Sequence, residues 1–331
     1  MNAQVPATQK PLALVIGATG SIGGEVARNL LARGWRVHGL NRDPDRAART
    51  GPTGIEWVRG DAMIEADVVE AAKGARIILH GANPPGYSNW AKLLPPMMEN
   101  VIAAARASGA RIVLPGNVYN YGPDAWPRFT EASPQNPRTR KGLIRVGLER
   151  RLEAAAAQGV RSLVVRAGDF FGARSGTSWL TEGWVQKGKP LKAVSLPGPA
   201  EITHAWAYLP DFAESIVRLA EQDADLPAFA VFNHGGHQLT GGQMADALER
   251  VAGRKLTRKS MPWLAMAAVS PFVETLREML EMRYLWDHEV LPDNAKLVAA
   301  LGAEPHTPLD QALRTALEGQ GCLETVRANA A

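Results

Sequence analysis

Three glycines lie in the segment Gly17-Ala18-Thr19-Gly20-Ser21-Ile22-Gly23. The apolar run at 12–16 precedes them, and a helical pattern follows from about Ile22 to Gly34. In such a setting one glycine makes the tight turn, one lets backbone approach a pyrophosphate, and one lets helix pack on strand. The first turn of the helix then presents N–H groups and a positive dipole end to phosphate. Gly17, Thr19, Gly20, Ser21, Ile22 and Gly23 are therefore read as a dinucleotide phosphate loop. The next apolar run ends in Asn41-Arg42. A carboxylate at that point would accept from a ribose 2′-OH and repel a 2′-phosphate. Asn41 does not repel one, and Arg42 can pair with it through two N–H groups. The cofactor expected is NADP(H). Asp43 opposes this reading unless Pro44 turns it away.

Other residues could carry protons or metals. Tyr119 and Tyr121 follow the fifth apolar run, and Tyr87 lies in the loop after the fourth. Ligands gather at that edge of an open parallel sheet, although each tyrosine also reads as a packed aromatic. His234-Gly235-Gly236-His237 has metal-like types but no nearby cysteine or carboxylate in sequence, so a metal is not expected. His204, near Trp206, could face a substrate or simply pack.

The elements needed to position these groups follow from periodicity. Short apolar runs at 12–16, 36–40, 55–58, 76–80, 111–114 and 162–165 read as strands, with helical patterns between them. The Pro95-Pro96 pair is read as opening a helix that ends at Gly109. Strands separated by helices imply a doubly wound parallel sheet with helices on both faces. The fold class expected is α/β, a Rossmann domain over 1–170. A smaller, interleaved substrate lobe is expected over 171–331, with some segments returning to the sheet. The apolar stretch Met261 to Met282 is interrupted by Pro262, Pro271, Glu274 and Arg277, so core or subunit contact is expected there rather than a membrane span.

The bulk composition agrees. With 331 residues and 46% hydrophobic content the chain can bury a sizeable core. A net charge of +4 suits a phosphate-bearing ligand, and no basic run interleaved with aromatics points to nucleic acid. The single cysteine, Cys322, forms no internal disulfide, and Met1 to Pro11 carries no apolar signal core. A cytoplasmic protein with a small-molecule substrate, and neither nucleic acid nor membrane as partner, is expected. A homodimer is left open.

In order along the chain, further segments resemble the extended short-chain dehydrogenase/reductase superfamily, of the NAD-dependent epimerase/dehydratase type. The glycine loop matches its fingerprint. Gly60-Asp61 resembles its Gly-Asp after the third strand, which implies that Asp61 contacts adenine. His80-Gly81-Ala82 resembles the segment lying under the cofactor, which brings in Ala82. Tyr121-Gly122, the segment from Arg166 to Gly172, Asp211-Phe212-Ala213, and the closing Asp293, Lys296, Leu301-Gly302 and Thr307-Pro308-Leu309 resemble later landmarks.

The catalytic positions depart from that resemblance. The family uses a Ser or Thr after the fifth strand and a Tyr-x-x-x-Lys pair. Pro134 and Pro137 upstream and Glu149 downstream set the register without a gap. The Tyr position then holds Lys141, the Lys position Arg145, and the Ser position Asn117. Lys141 and Arg145 still share one helix face. Arg145 as a neighbour is expected to lower the Lys141 pKa, which would suit Lys141 to acid–base work. Arg145 could hold ribose hydroxyls or phosphate, and Asn117 could polarise a carbonyl oxygen. Asp169 replaces the family's Asn, where it could pair with Lys141, meet a polar substrate group, or cap a turn. The candidate catalytic set is Lys141, Arg145, Asn117 and Tyr121. The reading is an NADP(H)-dependent reductase or dehydrogenase of a small carbonyl or alcohol. A non-catalytic NADP(H) sensor and a sugar-nucleotide epimerase or dehydratase are the alternatives.

Overall fold

The structure is a computed structural model describing residues 10–84, 89–176 and 178–323. The candidate Tyr87 lies outside the described residues. The first half alternates strictly: β1 (Leu12–Ile16), α1 (Ser21–Ala32), β2 (Arg36–Asn41), α2 (Pro44–Thr50), β3 (Glu56–Arg59), α3 (Glu65–Ala71), β4 (Ala75–His80), α4 (Trp90–Ser108) and β5 (Arg111–Asn117). A two-residue strand, β6 (Arg128–Phe129), precedes α5 (Arg140–Ala156) and β7 (Ser162–Ala167). Then come β8 (Asp169–Phe171), β9 (Ala193–Leu196), β10 (Thr203–Tyr208), α6 (Leu209–Glu221), β11 (Phe229–Asn233), β12 (His237–Thr240), α7 (Gly241–Ala252) and β13 (Thr257–Ser260). The last part holds α8 (Trp263–Val269), α9 (Glu274–Glu281), α10 (Tyr284–Asp287), β14 (Leu291–Pro292), α11 (Ala295–Leu301) and α12 (Leu309–Gly319).

Seven strands form one parallel sheet in the order β11-β7-β5-β4-β1-β2-β3. Its central strands β1, β5 and β7 are buried along their whole length, because helices cover both faces. Successive side chains of β1 enter different cores. Ala13 and Val15 pack with Val26 and Leu30 of α1 and Phe212 and Ile216 of α6. Leu14 and Ile16 pack with Val101 of α4 and Leu148 of α5. The edge strand β11 comes from the second half of the chain and pairs with β7, so the two halves interleave. A third core joins Trp184, Trp206 and Trp286 to Leu248 of α7 and Leu313 of α12.

Two expectations change. Helix α4 begins at Trp90, with Pro95 and Pro96 inside it rather than at its start. Each proline lacks the N–H of one helical bond, but burial of Trp90, Leu94 and Met98 along one face holds the turn together. The Met261 to Met282 stretch is not core throughout. It folds as two short helices, α8 and α9, and Leu264 and Phe272 are each 88% exposed. Among the described residues, no helix is long and apolar enough to cross a membrane.

One buried ion pair ties three elements together. Arg166 on β7 donates to both carboxylate oxygens of Glu149 on α5, and its remaining Nη1 donates to the Tyr121 hydroxyl after β5. Arg166 is 1% exposed and Glu149 4%. Removing one partner strands the other charge in the interior. Glu149→Ala should therefore cost about 3–5 kcal/mol in urea unfolding; a loss below about 1 kcal/mol would mean that the guanidinium finds another partner.

Two histidines predict an acid limit. Burial pushes His80 down to about 4, with Arg145 adding to the shift, and burial pushes His237 down to about 4 with help from His306. Between about pH 6.5 and 4 the unfolded chain binds protons that the folded chain refuses. This contribution is intact above pH 6.5 and is lost as pH falls toward 4. Thermal midpoints measured across that window should fall, and less steeply in His237→Gln; an unchanged slope in that variant would contradict the assignment.

Candidate active site

The glycine loop joins β1 to α1 in a shape that excludes side chains. Gly17 has φ +89°, and a Cβ on it would stand 2.7 Å from the Gly81 carbonyl carbon and oxygen. A Cβ on Gly23 would collide with the Gly17 carbonyl. The Gly20 N–H closes the turn onto Gly17 O at 2.9 Å. Gly20 then caps α1 with no side chain engaging the first-turn N–H groups, and that turn has no acidic residue. The result is a bare, positive helix end beside a flat glycine surface, which is the form a pyrophosphate needs. Gly81 N bonds Ile16 O at 2.9 Å, so Gly81 and Ala82 are held against the same loop.

The end of β2 sits next to it. Asn41 Oδ1 accepts from Asp43 N at 2.9 Å, and Asp43 Oδ1 accepts from Arg46 N at 3.1 Å as the cap of α2. The Asp43 carboxylate is thus occupied by the helix start. Arg42 is exposed, and its carbonyl accepts from Arg59 Nη1 at 2.9 Å. Two guanidinium-bearing residues therefore meet at the ends of β2 and β3. Arg59 was not a sequence candidate, because its nearness to Arg42 depends on the pairing of those strands. Gly60 N donates to Asn41 O at 3.1 Å, which brings Asp61 to the same edge. Asp61 is anchored through its own N–H to Asp67 and accepts from Met63 N.

The catalytic candidates lie at the C-terminal edge of the sheet. Asn117 ends β5, and its Oδ1 accepts from Tyr119 N at 2.9 Å. Thr139 caps α5 by accepting from Gly142 N at 3.0 Å, which sets Lys141 in the first helical turn. Arg145, one turn on, donates to Asn83 Oδ1 at 3.2 Å and lies 4.7 Å from the centroid of the Trp90 ring.

Lys141 lies in surroundings the sequence did not suggest. It is 2% exposed. Its Nζ donates to the Glu278 carboxylate, to Glu278 O at 3.2 Å and to Glu281 Oε2 at 2.6 Å. Two carboxylates of α9 lie against its Nζ. Glu281 also accepts from Lys141 N at 3.2 Å, so it sits at the positive end of α5. Burial raises the Glu281 carboxyl, but the hydrogen bond and charge of Lys141 outweigh it and leave it below the usual carboxylate range. More than 130 residues separate these groups from Lys141, and no local pattern announces them.

Tyr121 lies inside the protein. It is 1% exposed and stacks on Phe129 with ring centroids 3.7 Å apart. Its hydroxyl donates to Thr130 O at 3.3 Å while accepting from Arg166. Burial pushes its pKa well up, with Arg166 only partly opposing. The one phenolic proton is committed to the backbone, which suits a positioning part better than proton transfer. Tyr119 is also buried.

Asp169 does not pair with Lys141. It receives a 2.8 Å contact from His204 Nε2, and His204 Nδ1 lies 3.1 Å from Leu285 O. The His204 ring stacks on Trp286 at 3.9 Å. His204 is thus a packed residue with both nitrogens engaged. His234 contacts Ser215 Oγ at 3.1 Å, and the Gly235 and Gly236 N–H groups hold the Glu304 carboxylate at 2.8 Å each. Among the described residues no group of three His, Cys, Asp or Glu side chains is arranged to hold a metal ion.

The chain is similar to several known proteins. The chain is 34% identical over 134 residues to cinnamoyl-CoA reductase 1 of Oryza sativa subsp. japonica, covering 35% of this chain and 39% of that one. It is 28% identical over 229 residues to the 3-diazoavenalumate denitrifying reductase of a Streptomyces species, covering 64% and 72%. The matches span about half or less of the first curated relatives' own lengths. The fold is that of the UDP-N-acetylglucosamine 4-epimerase from Bacillus cereus, with a TM-score of 0.72 at 16% identity over 95% of this chain and all of that one. Residues 13–235 match the NAD dependent epimerase/dehydratase family, and with that stretch spanning β1 to the turn after β11, the chain belongs to this family.

Proposed function

We propose that the protein is an NADP(H)-dependent oxidoreductase, a reductase or dehydrogenase of a small carbonyl or alcohol. The observation that carries this reading is the glycine cradle of Gly17, Gly20 and Gly23, which a Cβ would fill, opening onto the uncapped start of α1. Those residues, with Thr19, Ser21 and Ile22, would hold the pyrophosphate. Arg42 and Arg59 would hold a 2′-phosphate, with Asn41 leaving room for it. Asp61 and Ala82 would border the adenine and the nicotinamide half, and Arg145 would hold ribose hydroxyls. When bound, the dinucleotide supplies or accepts hydride at its nicotinamide ring. Reductases among the relatives support this chemistry over a purely structural role.

The proton is the chain's own part. Lys141 carries the ammonium proton beside the sheet edge, and Glu278 and Glu281 hold it in place. In reduction Lys141 would turn one of its three N–H groups, all held by Glu278 and Glu281, to the substrate oxygen and donate that proton. Glu281, the less enclosed of the two carboxylates, would relay a proton from water back to it. Asn117, oriented by Tyr119 N, would donate to the same oxygen. Tyr121 would act through Arg166 and Glu149 to keep α5 in place.

One observation favours a second reading. Solved structures of this fold include one named as a complex with UDP-glucose and NAD, at 18% identity. A sugar-nucleotide epimerase or dehydratase therefore stands beside the reductase. The ion pair that engages Lys141 likewise keeps the NADP(H)-sensor reading in play.

Three measurements test these readings. NADPH should bind more tightly than NADH, and Arg42→Ala should weaken NADPH about tenfold or more while leaving NADH unchanged; equal affinities in the native protein would sink the NADP assignment. A panel of ketones, aldehydes, imines and enones should reveal oxidation of NADPH, whereas tight binding with flat absorbance would favour the sensor and conversion of UDP-glucose would favour the epimerase. If turnover appears, Lys141→Ala should lower kcat by about 10²–10⁴, and a retained rate would remove Lys141 from the mechanism.

A further inference from the structure

A cleft of about 310 Å³ lies at the edge strand β11, on the face of the sheet that α5 covers. The segment between β6 and α5 brings Glu131 and Asn136 to its walls, and the second half of α5 brings Arg150 and Glu153. Phe229 and Val231 line it from the strand. The buried pair of Arg166 and Glu149 forms its innermost part. Asn117, Lys141, Arg145 and the glycine loop do not line it. The cleft is therefore separate from the candidate active site.

Its charges are not matched by the chain itself. Among the described residues, the side chains of Glu153 and Arg150 make no hydrogen bond or ion pair. Glu131 uses Oε1 to accept from Asn233 N at 2.7 Å and leaves Oε2 open. Arg166 is already matched by Glu149. Lys296 approaches β11 from the opposite face, where its Nζ lies over the Phe232 ring and donates to Val231 O at 2.8 Å. Two buried amides border the same space. Asn233 follows Phe229 and Val231 on one face of β11. It is 0% exposed, and neither its Oδ1 nor its Nδ2 has a partner among the described residues. Asn120, also 0% exposed, donates to Gln135 and Glu149 of the cleft, and its Oδ1 is unpartnered. Buried amides left open call for an occupant beside them.

We infer that this cleft binds a small molecule through a primary ammonium group, held by Glu131 and Glu153. The open groups are mostly acceptors: Glu131 Oε2, the Glu153 carboxylate, and the Oδ1 atoms of Asn120 and Asn233. Asn136 adds its own Oδ1, because its Nδ2 donates to Asp124 at 2.7 Å. An ammonium brings several donors and one positive charge, and its bonds to carboxylates are among the strong ones. A metal ion is less suited, since among the described residues no group of three His, Cys, Asp or Glu side chains is arranged to hold one. Phe229 and Val231 give the carbon chain of the ligand an apolar wall. Arg150, exposed on α5, stands ready for a carboxylate on the same ligand. The inference does not depend on the oxidoreductase reading, because none of its residues serves there as a cofactor or proton group.

The test is isothermal titration calorimetry of the full chain with probes of similar length: putrescine, γ-aminobutyrate and the diol that matches putrescine. Both amines should bind and raise the thermal midpoint, and the diol should do neither. Glu153→Gln should weaken both amines about tenfold, with the midpoint of the unliganded chain and the NADPH affinity unchanged. The two amines also separate the sources of the ammonium. Arg150→Gln weakens γ-aminobutyrate if the ligand is an amino acid, and leaves both amines unaltered if it is a simple amine. No binding of either amine at about 10 mM would overturn the inference. So would diol binding as tight as that of putrescine, or amine affinities that Glu153→Gln does not change.

Discussion

The geometry of the site depends on one buried guanidinium. Arg166 leaves β7 at the C-terminal edge of the sheet and uses its fork on Glu149 of α5 and the hydroxyl of Tyr121. Asn120 joins by donating to Glu149 at 2.9 Å. The network therefore fixes α5 against both β7 and the turn that follows β5. Since α5 carries Lys141 and Arg145 and β5 ends in Asn117, the spacing of the candidate catalytic groups rests on it. Its members lie inside the protein, where hydrogen bonds to charge are strong and an unpaired member is costly. Burial lowers the readiness of Arg166 to stay charged, and Glu149 more than restores it.

The second constraint joins the two halves of the chain. Strand β11 comes from the second half to complete the sheet, and α9 of that half returns to the start of α5. The ammonium of Lys141 is held between carboxylates that belong to the other lobe. A further link runs from Arg174 to Glu25 of α1 at 2.9 Å, close behind the glycine loop. The two halves of the chain are thus coupled by charge at two points.

Some of the site was legible because its chemistry is local. A glycine at φ +89° and a helix that begins one residue past Gly20 are consequences of consecutive residues, so the loop from Gly17 to Gly23 reads directly. Asp43 was suspected to turn away at Pro44, and its carboxylate accepts from Arg46 N as the cap of α2. Other residues could not be read this way. Tyr121 stands where a proton donor would be useful, yet its hydroxyl is used internally by Arg166 and Thr130. His204 and Asp169 pair with each other, which no spacing in the chain suggests.

The sequence by itself determined the alternation of strand and helix, the glycine loop between β1 and α1, the absence of a carboxylate at Asn41, and the presence of Lys141 and Arg145 one helical turn apart. Each of these is a property of residue type and near neighbours, where backbone sterics and periodicity act. Only the tertiary structure decided what stands beside those residues. It put Glu278 and Glu281 against Lys141, set Arg59 beside Arg42, buried Tyr121, and left Leu264 and Phe272 in the open. Contacts of that kind depend on where distant segments pack, and electrostatic and solvation energies follow distance in space rather than distance along the chain.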